Sequence, residues 1–265
     1  MLSLVVLALP AGLLSGEVAP LSDTHRGWQE LSLLNASEAH ETFAGVPGSR
    51  EARLGEALSL LQLRSRTPAN ISTAAALLNN LRQENANDDI GIGAAYYLAR
   101  IAQLHSYTPD RAAAVAGYRA LLAAHPEHLY AQLAAPKLAL LLLYDDVSAD
   151  EWERRVTEIQ TLISHLTAPE AARDTRLTLA VALIRLRHDH TRAYPLFASC
   201  LSANSVTRMP RLNTVLVQAA ESAQKLGRNS EAAGYYADFL ANFPHDMKSD
   251  EIRRRLDGLK KGAAP

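Results

Sequence analysis

The sequence predicts an all-α protein, an α-solenoid of stacked antiparallel helix pairs, and three observations lead there. The 48% hydrophobic content is driven by Ala and Leu, with only 6% aromatic residues, and Ala and Leu have the best helix propensities. From Arg50 onward apolar residues recur at three- and four-residue spacing, the stripe of a helix face. The third observation is a period. Leu78, Tyr118, Phe197 and Tyr236 hold the same place in the second helix of a pair, about 40 residues or twice that apart, and the missing equivalent falls near Ile159.

The N-terminal part lies outside that pattern. Residues 1–19 contain an apolar run, Leu2 to Leu14, followed by small residues. The run is too short for a membrane-spanning helix, which needs about 20 residues. It has the length of a secretory h-region, although no Lys or Arg precedes it. Export to the periplasm or medium is the expectation, with a cytoplasmic protein the alternative if the run is not a signal. Residues 20–49, punctuated by Pro20, Gly27, Gly45, Pro47 and Gly48, read as a linker or irregular cap with one short helix from Trp28 to Phe43.

Residues 50–262 carry the repeats. Helices are expected over Ala52–Arg66 and, after a break at Thr67-Pro68, from a cap at Asn70 to about Glu84. The next pair spans Gly93 to Pro126. Its first helix contains Tyr96 to Leu104, and its second starts at Thr108 and Pro109, an N-cap followed by the position where a missing N–H costs nothing. Leu129–Tyr144 follows, with Pro136 expected to kink it. Ser148 to Glu151 and Thr167 to Glu170 have capping-box spacing ahead of Trp152–Leu166 and Ala171–Leu186. Thr191–Ala203, Pro210–Leu226, Ser230–Asn242 and a polar capping helix, Ser249–Lys261, complete the chain.

Two units share a fuller pattern. Ala114, Tyr118 and Leu121 followed by Pro126 are repeated as Ala232, Tyr236 and Phe239 followed by Pro244, with Gly227 at the preceding turn, and Ala193, Phe197 and Cys200 keep the core of it. These residues resemble tetratricopeptide repeats, the last unit being similar to those of bacterial cell-envelope proteins. The resemblance covers about 34 residues of each good unit and, more loosely, Arg50 to Lys261. Leu98 and Ala102, then Leu216 and Ala220, stand where the family has Trp and Gly. The family implies a right-handed superhelix of about five repeats whose first helices line a concave binding surface. By position, the partner-facing residues would be Tyr96, Gln103 and Tyr107, then Thr175, Thr178 and Arg185, then Thr214, Glu221 and Gln224. A small residue at Ala114, Ala193 and Ala232 also has its own logic, since it lets the second helix approach the first closely.

No motif in the sequence supplies catalysis, and no enzyme activity is expected. Gly91-Ile92-Gly93 lacks the strand and further glycines of a phosphate loop. His188-Asp189-His190 and His125-Pro126-Glu127-His128 lack the i, i+4 spacing of helical metal ligands and read as loops, so no metal or other cofactor is implied. Cys200, the one cysteine, excludes an intrachain disulfide and reads as a buried, inert thiol. Asn35-Ala36-Ser37 and Asn70-Ile71-Ser72 match the glycosylation acceptor triplet, which matters only in a eukaryotic secretory route. A net charge of −1 and a pI near 6.8 lack the basic excess of a nucleic-acid binder. Membrane association is left to the N-terminal run or to the basic last helix, which carries Arg253, Arg254, Arg255, Lys260 and Lys261. The expected function is a protein- or peptide-binding scaffold or assembly factor of the cell envelope. The alternatives are an accessory subunit of an envelope enzyme and a glycan- or small-ligand-binding solenoid.

Overall fold

The structure, a computed structural model, describes residues 22–65, 67–202 and 211–262. The apolar N-terminal run therefore lies outside the described residues. Thirteen α-helices and one π-helical turn make up the regular structure among them, with no strand. Contacts divide the chain into two compact units, Met1–Ala134 and Ala135–Pro265.

In the first unit, α1 (Asp23–Ser32) and α2 (Ala36–Ala44) form a pair that packs on α3 (Arg50–Gln62). Residues 23–44, within the stretch expected to be a linker or irregular cap, form a helix pair, and the single helix expected from Trp28 to Phe43 is broken at Leu33–Asn35, where Leu34 adopts φ 65°. Glycine explains why the sequence misleads. Phe43 is fully buried and its ring lies against Gly27 and Gly55, with Trp28 edge-on at 5.1 Å between ring centroids. Gly27, which reads as punctuation, is a close-packing site.

The pair α3 and α4 (Pro68–Glu84) follows, then α5 (Asp89–Arg100), which runs into a π-helical turn at Ile101–His105, and α6 (Arg111–Ala124). Consecutive helices pack on each other, and α1 touches α3 while α3 touches α5, so first helices stack on first helices. Caps differ in detail from the expected ones. Thr67, not Asn70, caps α4, its hydroxyl accepting from the Asn70 N–H at 3.1 Å with Pro68 in the first turn. Asp110, not Thr108, caps α6 by accepting from the Ala113 N–H at 2.9 Å, because its carboxylate reaches an N–H that the pair Thr108-Pro109 would have placed one turn too early.

Helix α7 (Leu129–Leu143) carries Pro136 and spans the boundary between the units, which falls at Ala134 and Ala135. Pro136 has no N–H to donate back to the Gln132 carbonyl.

In the second unit α8 (Ala149–His165) packs on α9 (Pro169–Arg187), α9 on α10 (His190–Ser202), α10 on α11 (Leu212–Lys225), α11 on α12 (Asn229–Asn242) and α12 on α13 (Ser249–Gly262). Ser148 caps α8 as its spacing predicts, accepting from the Glu151 N–H at 3.3 Å. The second expected box does not form in that way. Ala168 is the N-cap of α9, with no side-chain cap bond, and Pro169 opens the helix. The Trp152 indole N–H donates to the Leu143 carbonyl at 3.1 Å, satisfying an orphan acceptor at the end of α7.

The repeat is visible in burial. Leu78, Tyr118, Ile159, Phe197 and Tyr236 are all 0% exposed, so the position inferred at Ile159 takes its place in the series. Four residues earlier, Ala74, Ala114, Ala193 and Ala232 are equally buried. The exception is Arg155, one turn before Ile159. It folds over the end of α7, donating to the Leu142 carbonyl and to Asp145 at 2.9 Å and to Glu151 at 2.8 Å.

Candidate functional site

The densest group of polar and aromatic side chains lies in the first unit, on α5 and the π-turn that ends it. Asp88 starts α5 by accepting from the Gly91 N–H at 2.8 Å, and Arg50 reaches across from α3 to the same carboxylate. Gly91 is required there. A Cβ on it would stand 1.8 Å from the Asn85 carbonyl oxygen, so this glycine serves close packing.

One and two turns on, Tyr96 and Arg100 share a face of α5. Both are buried, at 8% exposure each, and Gln103 in the π-turn is at 9%. The Gln103 Oε1 accepts twice, from the Arg100 guanidinium at 2.8 Å and from the Tyr118 hydroxyl of α6 at 2.7 Å. The Ser106 N–H returns to the Ile101 carbonyl, which closes the wide turn. Such turns inside α-helices are frequent at functional sites.

Around Arg100 the rings cluster. Tyr96 lies 5.1 Å from Tyr97, 5.6 Å from Tyr130 and 6.2 Å from Tyr118 between centroids. Burial pushes the Tyr97 and Tyr118 hydroxyls well above the ordinary tyrosine range and raises Tyr96 and Tyr130 as well. The Arg100 charge acts in the opposite direction on Tyr96, Tyr97 and Tyr118. His128 stacks on Tyr130 at 5.7 Å. Its Nδ1 accepts from the Tyr130 N–H at 3.2 Å, so the proton sits on Nε2, 3.1 Å from the Asp89 carboxylate.

The expected partner-facing residues fare unequally. Tyr107 is on the surface at 71% exposure, whereas Tyr96 and Gln103 are inside the cluster just described. In the second unit Thr175 is fully buried and its hydroxyl donates to the Ala171 carbonyl at 2.7 Å, which takes it off the surface. The Thr178 hydroxyl is likewise turned back, to the Asp174 carbonyl at 2.8 Å, and Arg185 is exposed. Thr214 is half-buried beside Asn213, Glu221 pairs with Arg255 at 2.6 Å, and exposed Gln224 accepts from the Tyr236 hydroxyl at 3.4 Å. Arg100, Tyr97 and Tyr130 are not among the residues expected to face a partner. The available signal was an arginine in the otherwise apolar string Leu98-Ala99-Arg100-Ile101.

The remaining sequence candidates have structural duties. His188 takes the left-handed conformation that ends α9, at φ 53°, and Asp189 accepts from the Arg192 N–H to start α10. No group of three or more His, Cys, Asp or Glu among the described residues is placed to hold a metal ion. No described helix is long and apolar enough to cross a membrane. On α13, Arg253 pairs with Asp250 and Arg255 with Glu221 and Glu251, which answers much of the basic charge there.

The decisive feature for the fold is the buried seam of Ala and large residues, repeated in helix pairs. The chain has a tetratricopeptide-like helical-repeat fold. No family model and no curated protein matches it. Among solved structures, a thermophilic TPR protein of Thermus thermophilus is similar at 18% identity, over 80% of this chain and 98% of that one, with a TM-score of 0.46.

Proposed function

We propose that the protein is a non-catalytic scaffold that binds a protein or peptide partner in the cell envelope. The observation that carries this reading is a group of polar and aromatic side chains built into an otherwise apolar repeat. The second helices spend their alanines and large side chains inside, as at Ala114 and Tyr118 or Ala232 and Tyr236. The α5 helix of the first unit instead gathers tyrosines, an arginine and a glutamine near its end. A helical array whose side chains are already held binds a partner at a lower ordering cost. The envelope assignment is supported by the apolar run from Leu2 to Leu14.

The test is capture. The tagged full chain, incubated with an envelope extract, is expected to retain a defined protein that mass spectrometry identifies and that recombines with the pure chain. Retention of nothing above background from envelope and cytoplasmic extracts alike overturns the scaffold reading. Fractionation of cells tests the location separately, and recovery of the intact chain solely in the cytoplasm defeats the envelope assignment.

A further inference from the structure

The turn between α1 and α2 is built from an ill-suited residue. The Asn35 N–H donates to the Glu30 carbonyl at 3.0 Å and the Leu34 N–H to the Leu31 carbonyl at 3.1 Å, the paired bonds of a helix end that needs one left-handed residue. The same pair of bonds closes α11, where Gly227 takes the left-handed place at φ 74°. In the α1–α2 turn that residue is Leu34, at φ 65°. Leucine is strained in this conformation, and it gains no burial in exchange. Leu34 is 75% exposed and its neighbour Leu33 is 65% exposed. Glycine or asparagine would serve the turn better.

The two leucines belong to a longer edge. Helix α1 touches α3 and α3 touches α5, so the first helices of the first unit end side by side. Leu104, at 50% exposure, and Tyr107, at 71%, stand at the α5 end. Between the α1–α2 and α3–α4 turns the edge is cut by a polar cleft, lined by Glu38 and Arg64 with Ser37 and Thr67. Glu38 and Arg64 are both exposed, and among the described residues neither makes an ion pair, with the other or with any other group.

Four apolar tips around a polar cleft do not form a protein interface, which has a contiguous apolar core and buries about 800 Å² on each partner. They match a bilayer, where leucines enter the boundary of the acyl region and a tyrosine stays at the level of the headgroups. The net charge of −1 and the carboxylate of Glu38 disfavour an anionic surface. One guanidinium and one carboxylate in the same cleft complement the phosphate and the ammonium of a zwitterionic headgroup. We propose that this edge of the first unit docks on a membrane of zwitterionic phospholipid. Leu33, Leu34, Leu104 and Tyr107 insert, Arg64 meets a phosphate and Glu38 an ammonium. The surface is distinct from the α5 cluster, and the proposal does not depend on the scaffold reading.

The experiment floats the full chain with vesicles of phosphatidylethanolamine and phosphatidylcholine and, in parallel, with vesicles of phosphatidylglycerol. The apolar run Leu2–Leu14 has lipid affinity of its own, so the reading is the difference between wild type and variants of the same full chain. Leu34→Asn removes one tip and supplies a residue suited to the left-handed turn. It is expected to keep or raise the urea midpoint while lowering the partition onto zwitterionic vesicles about tenfold. Arg64→Gln should lower that partition about threefold or more, and Glu38→Gln should erase the preference over phosphatidylglycerol. Absence of wild-type flotation, equal flotation of wild type and Leu34→Asn, or a wild-type preference for phosphatidylglycerol overturns the proposal. A dimer in sedimentation equilibrium that Leu34→Asn dissociates assigns the tips to a second copy and overturns it too. A lowered midpoint in Leu34→Asn does the same, because Leu34 would then hold the fold.

Discussion

The Phe43 ring occupies the space that a side chain at Gly55 would need: a Cβ on Gly55 would lie 2.3 Å from the ring's Cζ. Gly27 faces the same ring from the other side, at 2.7 Å from Cε1. The ring is 0% exposed and cannot swing out to solvent. In an exposed helix, Gly→Ala stabilises by about 1 kcal/mol. Here overpacking, at about 1–3 kcal/mol, outweighs that gain. Gly55→Ala should lower the urea midpoint, and an unchanged or raised midpoint would mean that α1 and α2 do not hold Phe43 as described.

Gly234 supplies the opposite sign. It lies inside α12, its φ is not in the left-handed region, and nothing stands within 4 Å of the position of a Cβ. With no packing cost, the propensity gain is left alone. Gly234→Ala should stabilise by about 0.5–1 kcal/mol, read as a higher midpoint at unchanged slope.

These two glycines also show how much was legible in the sequence. Helix existence and period could be read because apolar spacing reports which face is buried, and Ile159 could be placed in the series before its burial was known. What could not be read is the sense of a glycine. Gly27 and Gly45 look alike in sequence, yet one abuts a buried ring and the other ends a helix, so residues 20–49 read as a linker or irregular cap. The residues expected to face a partner divide between surface and interior for a related reason. Helical spacing puts Tyr96 and Thr175 on first helices, but neighbouring helices bury both, while Tyr107 beyond the π-turn stays exposed. Arg100 was overlooked because a charge in an apolar string looks like a surface residue until its neighbours are seen.

Asp88 ties α3 to α5 and should mark the acid limb of stability. The hydrogen bond from Arg50 is the main reason its carboxyl lies below the ordinary 3.8, aided by the Gly91 N–H and opposed by partial burial. A depressed pKa in the folded state means that the stabilisation is complete above about 3.8 and is lost as pH falls through the lower folded value. Asp88→Asn keeps an oxygen for the cap and loses the charge. Its deficit relative to wild type should be full at pH 7 and shrink toward zero as pH falls below the ordinary carboxylate range. A deficit that stays constant as pH falls well below that range would show that the Arg50 contact contributes nothing through charge.

Cys200 offers a probe of the second unit. It is 2% exposed, its Sγ lies 3.7 Å from the Arg173 carbonyl oxygen, and burial pushes the thiol up to about 11. Since the thiolate is the nucleophile, the native chain at pH 8 should react with a disulfide reagent only through opening of α9 and α10. Its rate should therefore rise with urea in parallel with unfolding. Gly234→Ala, by stabilising α12, should slow labelling if the second unit opens as a whole. Modification of the native chain as fast as a free thiol would place Cys200 on the surface and break the seam between α9 and α10.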